Sequence, residues 1–202
     1  MKQVECRSRG RPRILDREKC LETALELFWR YGYEGTSISD LTKAMGVNPP
    51  SLYAAFGSKQ ELYLETVDAY GRTHGDFAMR AFAEEPTAKA AMGRTLAEAA
   101  ELFVAGPSPR GCMLSVAVVS CGPEHGDVAA ALARKRSAVT AAFKARFDGA
   151  IVDEELPVNT DSEALAAFYS AVIQGLSIQA RDGAGLETLR RIAAMALEAW
   201  PK

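Results

Sequence analysis

The sequence predicts an all-α fold of about nine helices, on three observations. Apolar residues recur at intervals of three and four through most of the 202-residue chain, the spacing that gathers side chains on one helix face. Start signals precede these stripes: Asp16, Ser37, Ser58 and Thr87 each offer a side-chain oxygen to a free backbone N–H. Stop signals follow them, at Gly32, Gly46, Gly57, Pro86 and the loop Gly106-Pro107-Ser108-Pro109-Arg110-Gly111.

Taken in order, a first helix runs from Asp16 to about Tyr31, with Leu21, Leu25, Phe28 and Tyr31 on one face. Ser37 and Asp40 form a capping box for the second, which turns Ile38, Leu41, Thr42 and Met45 inward and ends at a left-handed Gly46. Val47 anchors the turn, and Pro50 suits the first position of a third helix. Leu52 and Phe56 face the core there, leaving Ser51, Tyr53 and Ala54 outward. Ser58 and Glu61 open a longer fourth helix past Tyr63, Val67 and Tyr70. Gly71 and Gly75 each weaken it by roughly 1 kcal/mol relative to alanine, predicting a bend before Pro86. An alanine-rich helix follows from Thr87 to about Ala105, then a short apolar helix over 112–121. The next helix spans about 126–147 through Leu132, Val139, Phe143 and Phe147; after a loop at 149–160 come helices over about 161–181 and 185–200.

Residues 37–56 therefore read as a helix-turn-helix, a device for setting a short second helix in a DNA groove. That helix is poorly equipped to read bases, because residues 50–56 carry no Arg, Gln or Asn for bidentate hydrogen bonds. Asn48 in the turn is the nearest amide, and Ala54 or Ala55 can meet a thymine methyl. Base specificity is expected to come largely from elsewhere, and a basic arm stands ready upstream. Residues 1–13 hold Lys2, Arg7, Arg9, Arg11 and Arg13 against Glu5. The core Arg9-Gly10-Arg11-Pro12 resembles the AT-hook, which lies in a narrow minor groove where negative potential is concentrated.

The N-terminal third resembles the tetracycline-repressor (TetR) family of bacterial transcription regulators. The resemblance covers about residues 14–66 and rests on Ala24-Leu25-Glu26-Leu27-Phe28, Tyr31-Gly32-Tyr33-Glu34-Gly35-Thr36-Ser37, Leu41, Met45-Gly46-Val47, Ser51-Leu52-Tyr53, Phe56 and Lys59-Gln60-Glu61-Leu62. It implies phosphate contacts from Ser37 and Ser39, and DNA contacts from Ser51, Tyr53 and Lys59. With Arg9, Arg11, Arg13, Asn48, Pro50 and Ala54 these make the expected DNA-binding set. The expected division is a basic arm at 1–13, a DNA-binding domain at 14–60, and a regulatory ligand-binding and dimerisation domain at 61–202.

Charge agrees with that division: residues 1–60 carry a net +3 and residues 61–202 a net −5, so affinity for nucleic acid belongs to the N-terminal third. No apolar run reaches the ~18–20 residues that span a membrane, and no apolar segment follows the basic N-terminus as a signal peptide requires, so a cytoplasmic protein is expected. Cys6, Cys20, Cys112 and Cys121 lack metal-ligand spacing and are expected as reduced thiols. No cofactor, metal site or catalytic residue is expected. With only His74 and His125, no phosphate loop and no zinc motif, the rival reading, a helical enzyme or ligand carrier without DNA function, has little to stand on.

The last two helices show apolar surface on more than one side, which predicts burial against both the chain and a second copy. The expected homodimer interface is Leu165, Phe168, Val172, Gly175 and Leu176 with Leu189, Ala193, Ala196 and Trp200. Two subunits would then engage two half-sites of an operator ~34–36 Å apart. The resemblance further implies an inducer in the C-terminal domain, and Phe77, Phe82, Met92, Leu96, Phe103, Met113, Phe143 and Phe168 are the expected lining of an apolar or aromatic effector, with Gln174, His74 or His125 as polar anchors.

An alternative is a thiol sensor. Cys112 follows Arg110-Gly111 at the predicted start of a helix, and both the cation and the helix end favour a thiolate. Residues 110–114 also resemble the corresponding stretch of electrophile-sensing members of the family; the other reading of Cys112 is a small buried hydrophobe. Cys121, nine residues on, lies about 13 Å away along a continuous helix, too far for a disulfide.

Overall fold

The computed structural model describes residues 15–106, 111–116 and 125–202, and all regular structure among them is helical. The elements are α1 (Arg17–Tyr31), α2 (Ile38–Met45), α3 (Pro49–Phe56), α4 (Lys59–Thr73), α5 (Phe77–Glu84), α6 (Ala88–Leu102), α7 (Met113–Val116), α8 (Gly126–Val152), α9 (Ser162–Arg181) and α10 (Leu186–Glu198).

The start signals work as the residues predict. Asp16, Ser37, Ser58 and Thr87 each accept a backbone N–H from three residues ahead. Gly46 closes α2 in the left-handed conformation, at φ 68° and ψ 32°. Four boundaries differ. The helix expected to run on to Pro86 breaks after Thr73, where the N–H groups of His74 and Gly75 both turn back to the Tyr70 carbonyl at 2.9 Å, and α5 starts afresh at Phe77. The alanine-rich helix stops at Leu102, and α8 outruns its expected end by burying Ala150. Of the helix expected over 112–121, the described part is the single turn α7; Cys121 lies outside the described residues.

A head of α1, α2, α3 and the first turns of α4 closes around Leu25, Phe28, Leu41, Leu52, Phe56 and Leu62, with the Phe28 and Tyr63 rings edge to face at 4.9 Å. Arg17 secures the recognition helix from outside: it forms a bidentate pair with Glu65 on α4, its guanidinium lies over the Phe56 ring, and it donates to the Ala55 carbonyl. α4 continues from this head into the larger body. There α5 and α6 pair, α8 packs on α9, and α10 lies against α6 and α9. Arg94 of α6 gathers Glu84, Glu85 and Glu98 on the outer side of the α5–α6 pair.

The body's core revises the expected dimer interface. Leu176, Leu189, Ala193, Ala196 and Trp200 are buried within the single chain. Trp200 meets Phe147 edge to face at 5.4 Å, and the Tyr169 hydroxyl, its pKa pushed up to about 12 by burial and so still protonated, donates to the Ala196 carbonyl. The helical stripe on α10 is real, but it is filled by α6 and α9 of its own chain. The face left open on α9 is Ala164, Phe168, Ala171, Gly175 and Ile178, with Leu165 and Val172 half-buried beside it.

Candidate DNA-binding surface and regulatory cavity

The helix-turn-helix is built by its caps. Ser37 Oγ accepts from the Asp40 N–H, and the Ser37 N–H and hydroxyl donate back to the Asp40 carboxylate at 2.9 and 2.6 Å. Those donors hold the Asp40 carboxyl below its ordinary range. Its contribution is therefore present above the unfolded pKa and fades only as pH falls through the lowered one. Asn48, expected as a base-reading amide, is the N-cap of α3: its Oδ1 accepts from the Ser51 N–H at 2.9 Å, with Pro49 and Pro50 as the first two helical residues. The requirement to satisfy the helix end claims this oxygen, and only its NH2 remains for DNA.

The expected contact residues lie where a groove can reach them. Ser37, Ser39, Asn48, Pro50, Tyr53 and Ala54 are exposed and Ser51 is half-buried, while Leu52 and Phe56 carry the helix on the core. Lys59 is half-buried with its ammonium 4.4 Å from the centre of the Tyr33 ring, so it also braces the head. Arg9, Arg11 and Arg13 lie outside the described residues. Sequence reasoning passed over Lys19, which lines a groove with Asn48 and Ser51 between α1 and the turn, and exposed Lys43 on the last turn of α2. Their positive charge beside the motif was the available signal.

In the body, a cavity of about 70 Å³ lies among the α4–α5 junction, α7, α8 and α9. Of the expected lining, Phe77, Phe143 and Gln174 are present. Met92, Leu96, Phe103 and Met113 are fully packed core, Phe82 meets Phe143 and Phe147 edge to face behind the cavity, and Phe168 points outward at 40% exposure. His74 stacks on Tyr70, and His125 sits against Tyr33. The polar groups that do reach the cavity are Cys112, Ser115, Arg136, Thr140, Ser170 and Gln174. Arg136 and Thr140 are a helical turn apart, in register with Phe143, so a polar break in the α8 stripe was their trace in the sequence.

The cavity wall is tied to the head. Trp29 of α1 donates its indole N–H to the Gly111 carbonyl at 2.9 Å, and Arg181 at the end of α9 donates to the Trp29 and Arg30 carbonyls. The next residue, Cys112, donates its N–H to Ser177 Oγ at 2.7 Å. Gly111 permits this approach: at φ 80° a Cβ would lie 2.6 Å from the Ser177 carbonyl oxygen. Burial, reinforced by the neighbouring Cys112 thiol, raises the Tyr70 pKa well above the ordinary phenol value.

No described helix is long and apolar enough to cross a membrane, and the described residues place no group of three or more His, Cys, Asp or Glu to hold a metal.

Residues 21–66 match the family model for "Bacterial regulatory proteins, tetR family". Over 197 residues the chain is 35% identical to the HTH-type transcriptional repressor ComR of Escherichia coli K12, covering 97% of this chain and 94% of that one. It is 30% identical to the repressor BdcR of the same organism, over 94% and 91%. Among solved structures it is similar to a cysteine-substituted form of the TetR family transcriptional regulator CifR complexed with 26 bp double-strand operator DNA, at 40% identity and a TM-score of 0.90, covering 95% of this chain and all of that one. A capped helix-turn-helix on a helical body, matched along nearly its full length by such relatives, places this chain in the TetR family of helix-turn-helix transcription regulators.

Proposed function

We propose that the protein is a cytoplasmic homodimeric repressor that binds an operator of two half-sites and leaves it when a small apolar or aromatic effector enters the cavity of the body. The observation that carries this reading is the bonded path from cavity to head: Cys112 lines the wall, and the carbonyl of the preceding Gly111 holds Trp29 of α1. An occupant that displaces the wall moves α1, and with it the helix-turn-helix. Effector and operator then favour two different arrangements of one dimer, which is all that release requires. The protein acts by binding, without catalysis.

DNA is held by Ser39, Pro50, Ser51, Tyr53, Ala54 and Lys59, with the Asn48 amide and Lys19 at the turn, and by Arg9, Arg11 and Arg13 of the arm; Ser37, whose N–H and hydroxyl both go to Asp40, shapes the helix end beside them. The arm is testable by removing residues 1–12 and titrating operator against salt. Each phosphate that the arm neutralises steepens the fall of log K with log salt by about 0.9. Without the arm we expect that slope to flatten by about two to four, with weaker A·T preference; an unchanged slope and affinity would remove the arm from the reading.

The dimer is expected across α9, with the Ala164, Phe168, Ala171, Gly175 and Ile178 face meeting its two-fold copy. Leu165 and Val172 flank that face, while Leu176, Leu189, Ala193, Ala196 and Trp200 act from behind it as core.

One observation favours a second reading. Cys112 lines the cavity, so an electrophile entering there meets a thiol. Addition to an activated alkene would form a carbon–sulfur bond, break the alkene π bond and place the thiol proton on the adjacent carbon. Cys112→Ser should then abolish operator release by N-ethylmaleimide; full release by that variant would return Cys112 to the role of plain wall.

A further inference from the structure

Three arginines among the described residues are half-buried: Arg94, Arg136 and Arg146. Arg94 pairs with Glu84, Glu85 and Glu98, and Arg146 with Glu155. Arg136 has no carboxylate within ion-pair distance among the described residues; its one hydrogen bond there goes to the Leu114 carbonyl at 2.9 Å. It lines the cavity, whose described lining contains no acidic side chain. A partly desolvated guanidinium with unused donors and no carboxylate in ion-pair contact among the described residues is costly, and an anion brought to it recovers that cost.

Two further donors stand beside it. Thr140, one turn along α8, and Ser170 of α9 hold their hydroxyls 2.8 Å apart, and both line the cavity. Each hydroxyl rotates to suit its partner, so the pair can turn a proton toward an anion. The rest of the wall is mainly apolar, with Phe77, Val139, Phe143 and Ile173. A cationic ligand finds no counter-charge in the described lining, and an inorganic anion leaves the apolar wall unused.

We propose that the effector is a small organic monocarboxylate, its carboxylate held by Arg136 with Thr140 and Ser170, its hydrocarbon part lying against Phe77, Val139, Phe143 and Ile173. The inference rests on the effector reading above and narrows it from apolar molecules in general to acids with an apolar tail. Size sets the coupling. The cavity of about 70 Å³ is smaller than the roughly 150 Å³ that accepts a benzene ring. A short acyl chain fits as the structure stands. A longer or aromatic acid must push the wall at Cys112 and Leu114, next to the carbonyl that holds Trp29.

The test is calorimetric titration of the full chain with butanoate, hexanoate and benzoate, each against its neutral amide, alongside operator binding measured by fluorescence anisotropy. At least one acid is expected to bind tenfold or more tighter than its amide, and Arg136→Gln to erase that preference while leaving operator affinity without ligand within about twofold. Equal binding of acids and amides, no binding by any acid, an unchanged preference in Arg136→Gln, or equal competition by inorganic phosphate would each overturn the proposal. Should Arg136→Gln not fold, Arg136→Lys keeps the charge but loses the planar fork. It should weaken acid binding severalfold, and unchanged affinity would count equally against the site. Calorimetry needs no DNA. Acid binding without operator release would therefore support the site and refute the effector reading, whereas release by amides alone would do the reverse.

Discussion

Trp200→Ala is expected to cost about 3–5 kcal/mol of folding stability, the range for removing a large aromatic side chain from a well-packed core. Trp200 is 5% exposed, and its ring meets both Phe147 of α8 and Tyr169 of α9. Truncation opens a cavity where three helices join, and the Tyr169 hydroxyl bonded to the Ala196 carbonyl limits how far the site can close. In a chain of this size the loss lowers Tm by about 6–20 °C. Val158→Ala, on a side chain 90% exposed in the loop before α9, should change stability by less than about 0.5 kcal/mol. Thermal unfolding of the two variants side by side measures the contrast. Equal effects would mean that α10 is not core, and that its stripe is free for a partner after all.

Gly175→Glu is expected to act in the opposite sense, leaving the fold intact and dissolving the dimer. A Cβ at Gly175 meets nothing within 4 Å, and replacing glycine in the middle of α9 recovers a few tenths of a kcal/mol of helix propensity or more. The monomer therefore loses nothing. The open residues Ala164, Phe168, Ala171, Gly175 and Ile178 are spaced by four, three, four and three, the seam along which one helix packs on another. In a two-fold dimer a glutamate at the centre of that seam is desolvated and faces its own copy. Sedimentation should show a monomer at micromolar concentration. Operator affinity should fall by about a hundredfold or more, because the second head loses the effective concentration that the first provides. A dimer that survives the substitution would place the interface elsewhere on the body.

The two expectations divide along what periodicity conveys. The head was legible in detail because its determinants are local: Ser37 with Asp40, Gly46, and Ser58 with the N–H of Glu61 lie within a turn of one another, and their chemistry has few other outlets. Even there the sequence left the cap on Asn48 unseen, since an amide that caps a helix and one that reads a base look alike in one dimension. The stripe through Leu189, Ala193, Ala196 and Trp200 announced a buried face without saying what buries it. Of the eight apolar residues expected around the effector, only Phe77 and Phe143 border the cavity, because core and cavity wall draw on the same residue types.

By itself, then, the sequence determined the helical class, the helix-turn-helix with its outward Ser51, Tyr53 and Ala54, and the family to which the chain belongs. Tertiary structure alone decided which apolar stripe closes on its own chain, where the cavity opens, that Arg136 stands in it without a carboxylate among the described residues, and that Gly111 joins its wall to Trp29 across 82 positions. The physical reason is range. Caps and turns are settled by neighbours a few bonds away, whereas burial, charge pairing and cavity walls depend on residues that only the folded chain brings together.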